Sequence, residues 1–164
     1  MLISLVDGSQ LEQAEKLIDK NKRIFILGAG RSGLMARGFA MRLVHIGDTV
    51  YVIGETITPS IKAGDVLVSV SGSGKTGSVL NPSKKAKETG AVLISVTSDQ
   101  HSPLGQIGDA TIVVSVVRGE SKEIAYKTAI ACIKGGVKAI ELTFTAPSAD
   151  ELIKQLNEEF ANDS

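Results

Sequence analysis

Short apolar runs alternate with amphipathic segments along the whole chain. The apolar runs are rich in Val and Ile and lack polar alternation, which is typical of strands buried on both faces of a parallel sheet. The segments between them carry apolar residues at helical spacing. The predicted strands are Arg23–Leu27, Thr49–Ile53, Val66–Val70, Val92–Thr97, Thr111–Val117 and Lys138–Thr143. The predicted helices are Gln10–Lys20, Ser32–Ile46, Thr76–Thr89, Lys122–Lys134 and Ala149–Phe160.

This alternation predicts an α/β fold, a three-layer αβα sandwich with a parallel sheet. Glycines stand where helices should end, at Gly47, Gly90 and Gly135-Gly136. Ser148 and Glu151 form a capping box at the start of the last helix. At 164 residues, the chain is expected to form one domain, residues 1–164.

A glycine- and hydroxyl-rich loop, Val-Ser-Gly-Ser-Gly-Lys-Thr, runs from Val70 to Thr76 directly after a predicted strand. Its glycines, Gly72 and Gly74, let several backbone N–H groups converge, and the following helix adds the positive end of its dipole. The loop therefore predicts a phosphate site. It is not a Walker A loop, because that motif needs glycine where this chain has Ser69.

A second glycine loop, Gly28-Ala-Gly-Arg-Ser-Gly33, follows the first predicted strand and fits the dinucleotide-binding pattern. That pattern also needs an acidic residue near the end of the next strand, and Glu55 comes late for this role. A nicotinamide or flavin cofactor is thus an open alternative. Ligands bind such sheets at the carboxyl ends of the strands, so both glycine loops and the turns at residues 54–56 and 97–99 are expected to line one cleft.

Composition excludes several function classes. The 18 basic and 18 acidic residues balance and are scattered, which argues against binding to nucleic acid or to an acidic membrane surface. No apolar run has the length of a membrane span. One cysteine, Cys132, fits a reducing cytoplasm, and two isolated histidines are too few for a metal cluster.

Five motifs in order resemble the sugar isomerase (SIS) family, and more narrowly the 6-phospho-3-hexuloisomerases, over residues 11–114. They are Gly28–Gly33, Phe39–Leu43, Gly54–Pro59, Val70–Thr76 and Thr97–Pro103. The resemblance implies a flavodoxin-like fold and a phosphorylated sugar as ligand, without metal or organic cofactor. It also implies that Ser71, Ser73 and Thr76 bind the phosphate, with Ser32 contributing from the first glycine loop. Inorganic phosphate or sulfate is expected at the same place, and the family association favours a homo-oligomer.

The remainder of the chain resembles a different family. Residues 112–160 are similar to the first two βα units of 2-keto-3-deoxy-6-phosphogluconate aldolase, a barrel enzyme, with Arg118 and Glu141 on its active-site positions. The aldolase's Schiff-base lysine has no counterpart here. We therefore interpret residues 1–114 as an isomerase-like segment and residues 115–164 as a barrel-derived segment completing the same sheet. We interpret the chain as an engineered chimera, and a natural fusion or a degenerate gene is the alternative.

Isomerisation between adjacent carbons needs a base that moves a proton through an enediol. Glu55 is the candidate catalytic residue, although a salt-bridged surface role explains it equally well. Arg31, beside Gly30, is expected to face the ligand or to pin a neighbouring chain or helix. Lys75 is expected in solvent, and His45 and His101 outside catalysis. With the supposed isomerase tail replaced, catalysis is expected to be lost or strongly impaired, and an active isomerase is the alternative.

Overall fold

A computed structural model describes residues 8–117, 123, 126–127, 129–130, 140–142 and 149–160. Its helices are α1 (Gly8–Leu17), α2 (Gly30–His45), α3 (Gly77–Glu88), α4 (Pro103–Ile107) and α5 (Ala149–Phe160). Its strands are β1 (Arg23–Gly28), β2 (Thr49–Val52), β3 (Val66–Val70), β4 (Val92–Thr97), β5 (Ala110–Val113), β6 (Ser115–Val117) and β7 (Ile140–Leu142).

Five strands form one parallel sheet in the order β2-β1-β3-β4-β5. Strand order reverses between β1 and β3, where the connections leave for opposite faces of the sheet. The predicted three-layer sandwich with a parallel sheet is confirmed.

Alternate residues of the central strands enter two separate cores. Ile24 and Ile26 point to the layer of α1 and α2, where they meet Ala36 and Ala40. Phe25 lies on the opposite face. On that face Leu67 and Leu93 pack with Val79 of α3 and Leu104 of α4. The central strands are therefore buried on both faces, which is why they read as continuous apolar runs.

Asp109, which directly precedes β5, joins the starts of β4 and β5. Its carboxylate accepts hydrogen bonds from Leu93 N–H at 2.8 Å and from Lys87 Nζ at 2.6 Å, and its own N–H donates to Leu93 O. Burial acts to raise the pKa of Asp109, but the two donors outweigh it, so the pKa lies below its ordinary value. The carboxylate therefore stays charged and fixes the start of β5 beside β4.

The structure differs from expectation around residue 114, the predicted boundary between the isomerase-like and the barrel-derived segments. Thr111–Val117 was predicted as one strand, but the structure divides it at Val114 into β5 and β6. Strand β7 lies within the predicted Lys138–Thr143, yet it pairs with β6 in a separate two-stranded parallel sheet. The prediction of a sixth strand completing the first sheet is therefore wrong. An apolar run indicates burial on both faces, but it does not specify the strand with which its backbone pairs.

The contacts group the chain into two compact units, Asp7–Val113, and Val114–Ser164 with Met1–Val6. In the second unit, Ala129, Leu152 and Leu156 are buried. Other predictions for this unit lie outside the described residues: the glycine stop at residues 135–136, the Ser148 cap, Cys132 and Arg118. For Glu141 the backbone in β7 is described and the side chain is not.

The outer face of α2 exposes large apolar side chains. Leu34 is 71% exposed, Met35 65% and Ile46 65%, and Met41 and Val44 are more than half exposed. Apolar residues gathered in one patch are more informative than the same residues scattered over a surface. In the described part of the chain, no helix combines the length and apolar character needed to span a bilayer.

Candidate functional site

The first glycine loop and the phosphate loop leave the sheet side by side. Gly28 at the end of β1 is paired with Val70 at the end of β3, and neighbouring strands lie roughly 5 Å apart. Val70 is paired in turn with Val96 of β4. Residues 29–32, 71–76 and 97–102 therefore begin at one edge of the sheet, at its switch point. Three of the four segments that were predicted to line one cleft thus start from neighbouring strands within the unit Asp7–Val113, and the cleft itself stays a prediction.

The phosphate loop starts with a tight turn anchored on β4. Ser71 N–H donates to Val96 O at 2.9 Å, and Gly74 N–H donates back to Ser71 O at 3.0 Å. Gly74 has φ +61°, in the left-handed region that favours glycine. After Gly74 the chain enters α3, whose first turn contains no acidic residue to oppose an anion.

The three predicted hydroxyls form a connected group. Ser71 Oγ donates to Thr76 Oγ1 at 3.1 Å, and Ser73 Oγ lies 3.5 Å from the same atom. Ser73 Oγ also accepts from Lys75 N–H at 3.3 Å. Thr76 Oγ1 accepts from Ser71, and hydroxyls linked in this way polarise one another. The Lys75 side chain is exposed, as predicted.

Backbone donors surround these hydroxyls. Among the described residues, the N–H groups of Gly72, Ser73, Thr76 and Gly77 donate to no acceptor within the chain. Unpaired donors at a helix N-terminus, with the helix dipole behind them, are the usual elements of a phosphate site. Ser71 is buried, whereas Ser73 and Thr76 are exposed to a ligand arriving from solvent.

In the first glycine loop, packing requires two of the glycines. A Cβ on Gly28 would lie 2.9 Å from Gly33 Cα, and one on Gly33 would lie 2.8 Å from Gly28 O. Their spacing is thus explained by the close approach of β1 and α2 without any nucleotide. Gly30, at φ +55°, makes the turn into α2. Arg31 is exposed and Ser32 half-buried in the first turn of α2.

Glu55 lies one strand further out, after β2. Its carboxylate forms an ion pair with Arg37 Nη1 of α2 at 2.5 Å, and its side chain is 46% exposed. Sequence reasoning did not identify Arg37. The pair ties the loop after β2 to α2 through one of the two carboxylate oxygens of Glu55.

The segment after β4 contributes three residues that were not proposed as site residues. Thr97, the last residue of β4, and Ser98 after it bond to Gly72 O, and Ser102 Oγ packs against Gly74; Thr97 and Ser102 are buried. The available signals were the density of hydroxyls in Thr97–Pro103 and the Ser-Pro pair. Ser102 caps α4 by accepting from Gly105 N–H, and Pro103 occupies the first helical turn.

Comparison with known protein families shows which family this chain belongs to. The SIS domain family matches residues 16–144, which is most of the chain. The match continues past residue 114, the predicted boundary of the isomerase-like segment. The chain belongs to the SIS domain family.

Individual relatives agree with that assignment. The chain is 44% identical over 109 residues to a 3-hexulose-6-phosphate isomerase from Mycobacterium gastri, covering 66% of this chain and 55% of the relative. It is 43% identical over 109 residues to an isomerase of the same name from Methanocaldococcus jannaschii, covering 65% and 60%. The chain thus spans little more than half the length of these two relatives.

A solved structure also matches the chain. It is the crystal structure of a Methanococcus jannaschii protein for which the function of 3-hexulose-6-phosphate isomerase has been inferred. It superposes with a TM-score of 0.62 at 33% identity, covering 92% of this chain and 79% of that protein.

Proposed function

We propose that this chain binds a sugar phosphate, with the phosphate group held by residues 71–77. The observation that carries the proposal is the set of unpaired amides of Gly72, Ser73, Thr76 and Gly77 beside three linked hydroxyls. A phosphate offers enough acceptor oxygens for such a group of donors, and its charge is favoured at the N-terminus of α3.

For the sugar, we propose the pair 3-hexulose 6-phosphate and fructose 6-phosphate. The support is the similarity to proteins named 3-hexulose-6-phosphate isomerase. With its phosphate in the loop, a hexulose would extend along the switch point, between Arg31 of α2 and the segment after β4. Neither a metal ion nor an organic cofactor is part of this proposal.

The isomerisation itself is the second candidate function, and the named relatives favour it. The geometry of Glu55, the proposed base, argues against isomerisation, because its side chain is half-exposed and paired with Arg37. A general base must be held within hydrogen-bond reach of the proton it removes. We therefore propose that this chain binds the sugar phosphate but that its turnover is lost or strongly impaired.

The test of binding is a double variant, Ser71→Ala with Ser73→Ala, measured by calorimetry with fructose 6-phosphate. We expect binding to weaken by at least about 1 kcal/mol, roughly fivefold in Kd, since one hydrogen bond to a charged group contributes about 1.5–3 kcal/mol. Ser60→Ala is the matched control: Ser60 is exposed near Arg23 at the opposite edge of the sheet, and its hydroxyl makes no hydrogen bond among the described residues. An unchanged Kd in the double variant would exclude this loop.

We also propose that the chain forms a homo-oligomer through the outer face of α2. The support is the exposure of Leu34, Met35 and Met41 on α2 and of Ile46 directly after it, since exposed apolar side chains that lie close together often mark an interface. Sedimentation velocity should show a species larger than a monomer, and Leu34→Glu should convert it to monomer. A monomeric wild-type chain would contradict this proposal.

We also propose that residues 115–164 derive from a barrel enzyme. The support is the resemblance of residues 112–160 to an aldolase. The SIS match, which continues through residue 144, counts against this origin. If the segment derives from a barrel, Arg118 and Glu141 have no role in this cleft. Arg118→Ala with Glu141→Gln should then leave the Kd of fructose 6-phosphate unchanged, and a weaker Kd would count against it.

A further inference from the structure

The carbonyl of Gly72 is held by an unusual concentration of donors. It accepts from Ser98 N–H at 2.9 Å, from Ser98 Oγ at 2.5 Å and from Thr97 Oγ1 at 3.2 Å. A carbonyl oxygen has two lone pairs, and the two donors of Ser98 lie closer to it than Thr97 Oγ1 does. Gly72 O is therefore fixed toward the segment after β4.

Fixing this oxygen also fixes an amide. In a planar trans peptide, C=O and N–H point in opposite directions, and none of the peptide bonds in the described structure is cis. The N–H that shares a peptide group with Gly72 O belongs to Ser73. The Ser73 amide therefore points away from Ser98, and it is one of the unpaired donors of the phosphate loop.

The orientation of the Gly72–Ser73 peptide group depends on contacts from outside the phosphate loop. Gly72 has no side chain that could anchor this peptide, and a Cβ built on it would meet no atom within 4 Å. If the group rotated, a carbonyl oxygen would face the phosphate where an N–H now does. That change would replace an attractive dipole with a repulsive one at the anion.

We propose that Ser98 is a positioning residue for phosphate binding, a role that rests on the proposed function above. Its hydroxyl and amide hold the Gly72–Ser73 peptide with the N–H toward the ligand, and Ser98 itself does not touch the phosphate. Thr97 assists from the buried side, where its hydroxyl lies 3.3 Å from Ser102 Oγ. Ser98 is exposed, so its hydroxyl contributes little to the core.

The test compares Ser98→Ala with Ser98→Thr, which keeps a hydroxyl, using inorganic phosphate as the probe in calorimetry. We expect Ser98→Ala to weaken phosphate binding about fivefold to tenfold, the scale of one lost hydrogen bond to the loop. Ser98→Thr should bind within about twofold of wild type. Thermal midpoints of both variants should stay within about 2 °C of wild type, since surface substitutions change stability little.

A second readout separates positioning from general structure. In ¹⁵N-labelled protein, phosphate should shift the Ser73 amide resonance of wild type and of Ser98→Thr, and this shift should shrink in Ser98→Ala. If wild type binds phosphate through the loop and Ser98→Ala binds equally well, the positioning role is wrong and the proposed function stands. If wild type shows no phosphate binding, the proposed function itself fails.

Discussion

Replacing Gly74 with alanine should both destabilise the protein and abolish tight phosphate binding. Gly74 has φ +61°, and a Cβ there would lie 2.0 Å from Ser102 Oγ and 2.9 Å from Thr97 Oγ1. The left-handed backbone costs a non-glycine residue about 1–2 kcal/mol, and overpacking adds typically about 1–3 kcal/mol. We expect a loss of roughly 2–5 kcal/mol in the free energy of unfolding, measured with urea. Phosphate binding should fall at least about tenfold, because positioning errors near 1 Å are expensive.

Gly64→Ala is the matched control for this variant. Gly64 also has a positive φ, +85°, but a Cβ there would meet no atom within 4 Å. It should therefore show only the backbone part of the effect, about 1–2 kcal/mol, with phosphate binding unchanged. Equal losses in the two variants would mean that Ser102 and Thr97 do not pack against the phosphate loop as described.

Turnover of 3-hexulose 6-phosphate should be absent or several orders of magnitude below that of an efficient isomerase. The reaction must move a proton between two carbons through an enediolate, and a misplaced base loses about a hundredfold for an error near 1 Å. Glu55 is the proposed base, and its carboxylate is held by Arg37 at 2.5 Å with nearly half of its side chain exposed. A coupled assay for fructose 6-phosphate, compared with an empty-vector preparation, measures this directly.

If turnover well above background is found, Glu55→Gln decides its origin. Loss of activity with unchanged phosphate affinity would make Glu55 the base and would overturn the proposed impairment. Glu12→Gln is the control, since Glu12 is an exposed glutamate on α1. Should activity survive Glu55→Gln, the base lies elsewhere, and His101 is the next residue to replace.

The central sheet was predictable because burial leaves a direct record in the sequence. Ile24, Phe25 and Leu67 are completely buried, and their strands read as unbroken apolar runs. The pairing of β6 with β7 was not predictable, because Val113 and Ser115 lie in one apolar run but enter different sheets. Helix α4 was missed because five residues are too few for a periodic signal.

In the site, the sequence predicted the residues of one contiguous loop, but it did not predict contacts between residues that are far apart in the chain. Ser71, Ser73 and Thr76 were proposed together because a phosphate loop is contiguous in sequence and has a recognisable chemistry. The contacts of Ser98 with Gly72 span 26 residues and depend on the register of β3 with β4. The ion pair of Glu55 depends on where α2 crosses the loop after β2. Neither can be read from spacing alone.

The most direct test of phosphate binding at this loop is an amide-resolved titration. Inorganic phosphate and then fructose 6-phosphate are added to ¹⁵N-labelled protein, and amide chemical shifts are followed. We predict saturable shifts that are largest at Gly72, Ser73, Thr76 and Gly77, the unpaired donors of the loop, with unphosphorylated fructose producing none there. Shifts centred elsewhere, or no saturable shifts with either phosphate compound, would contradict the account.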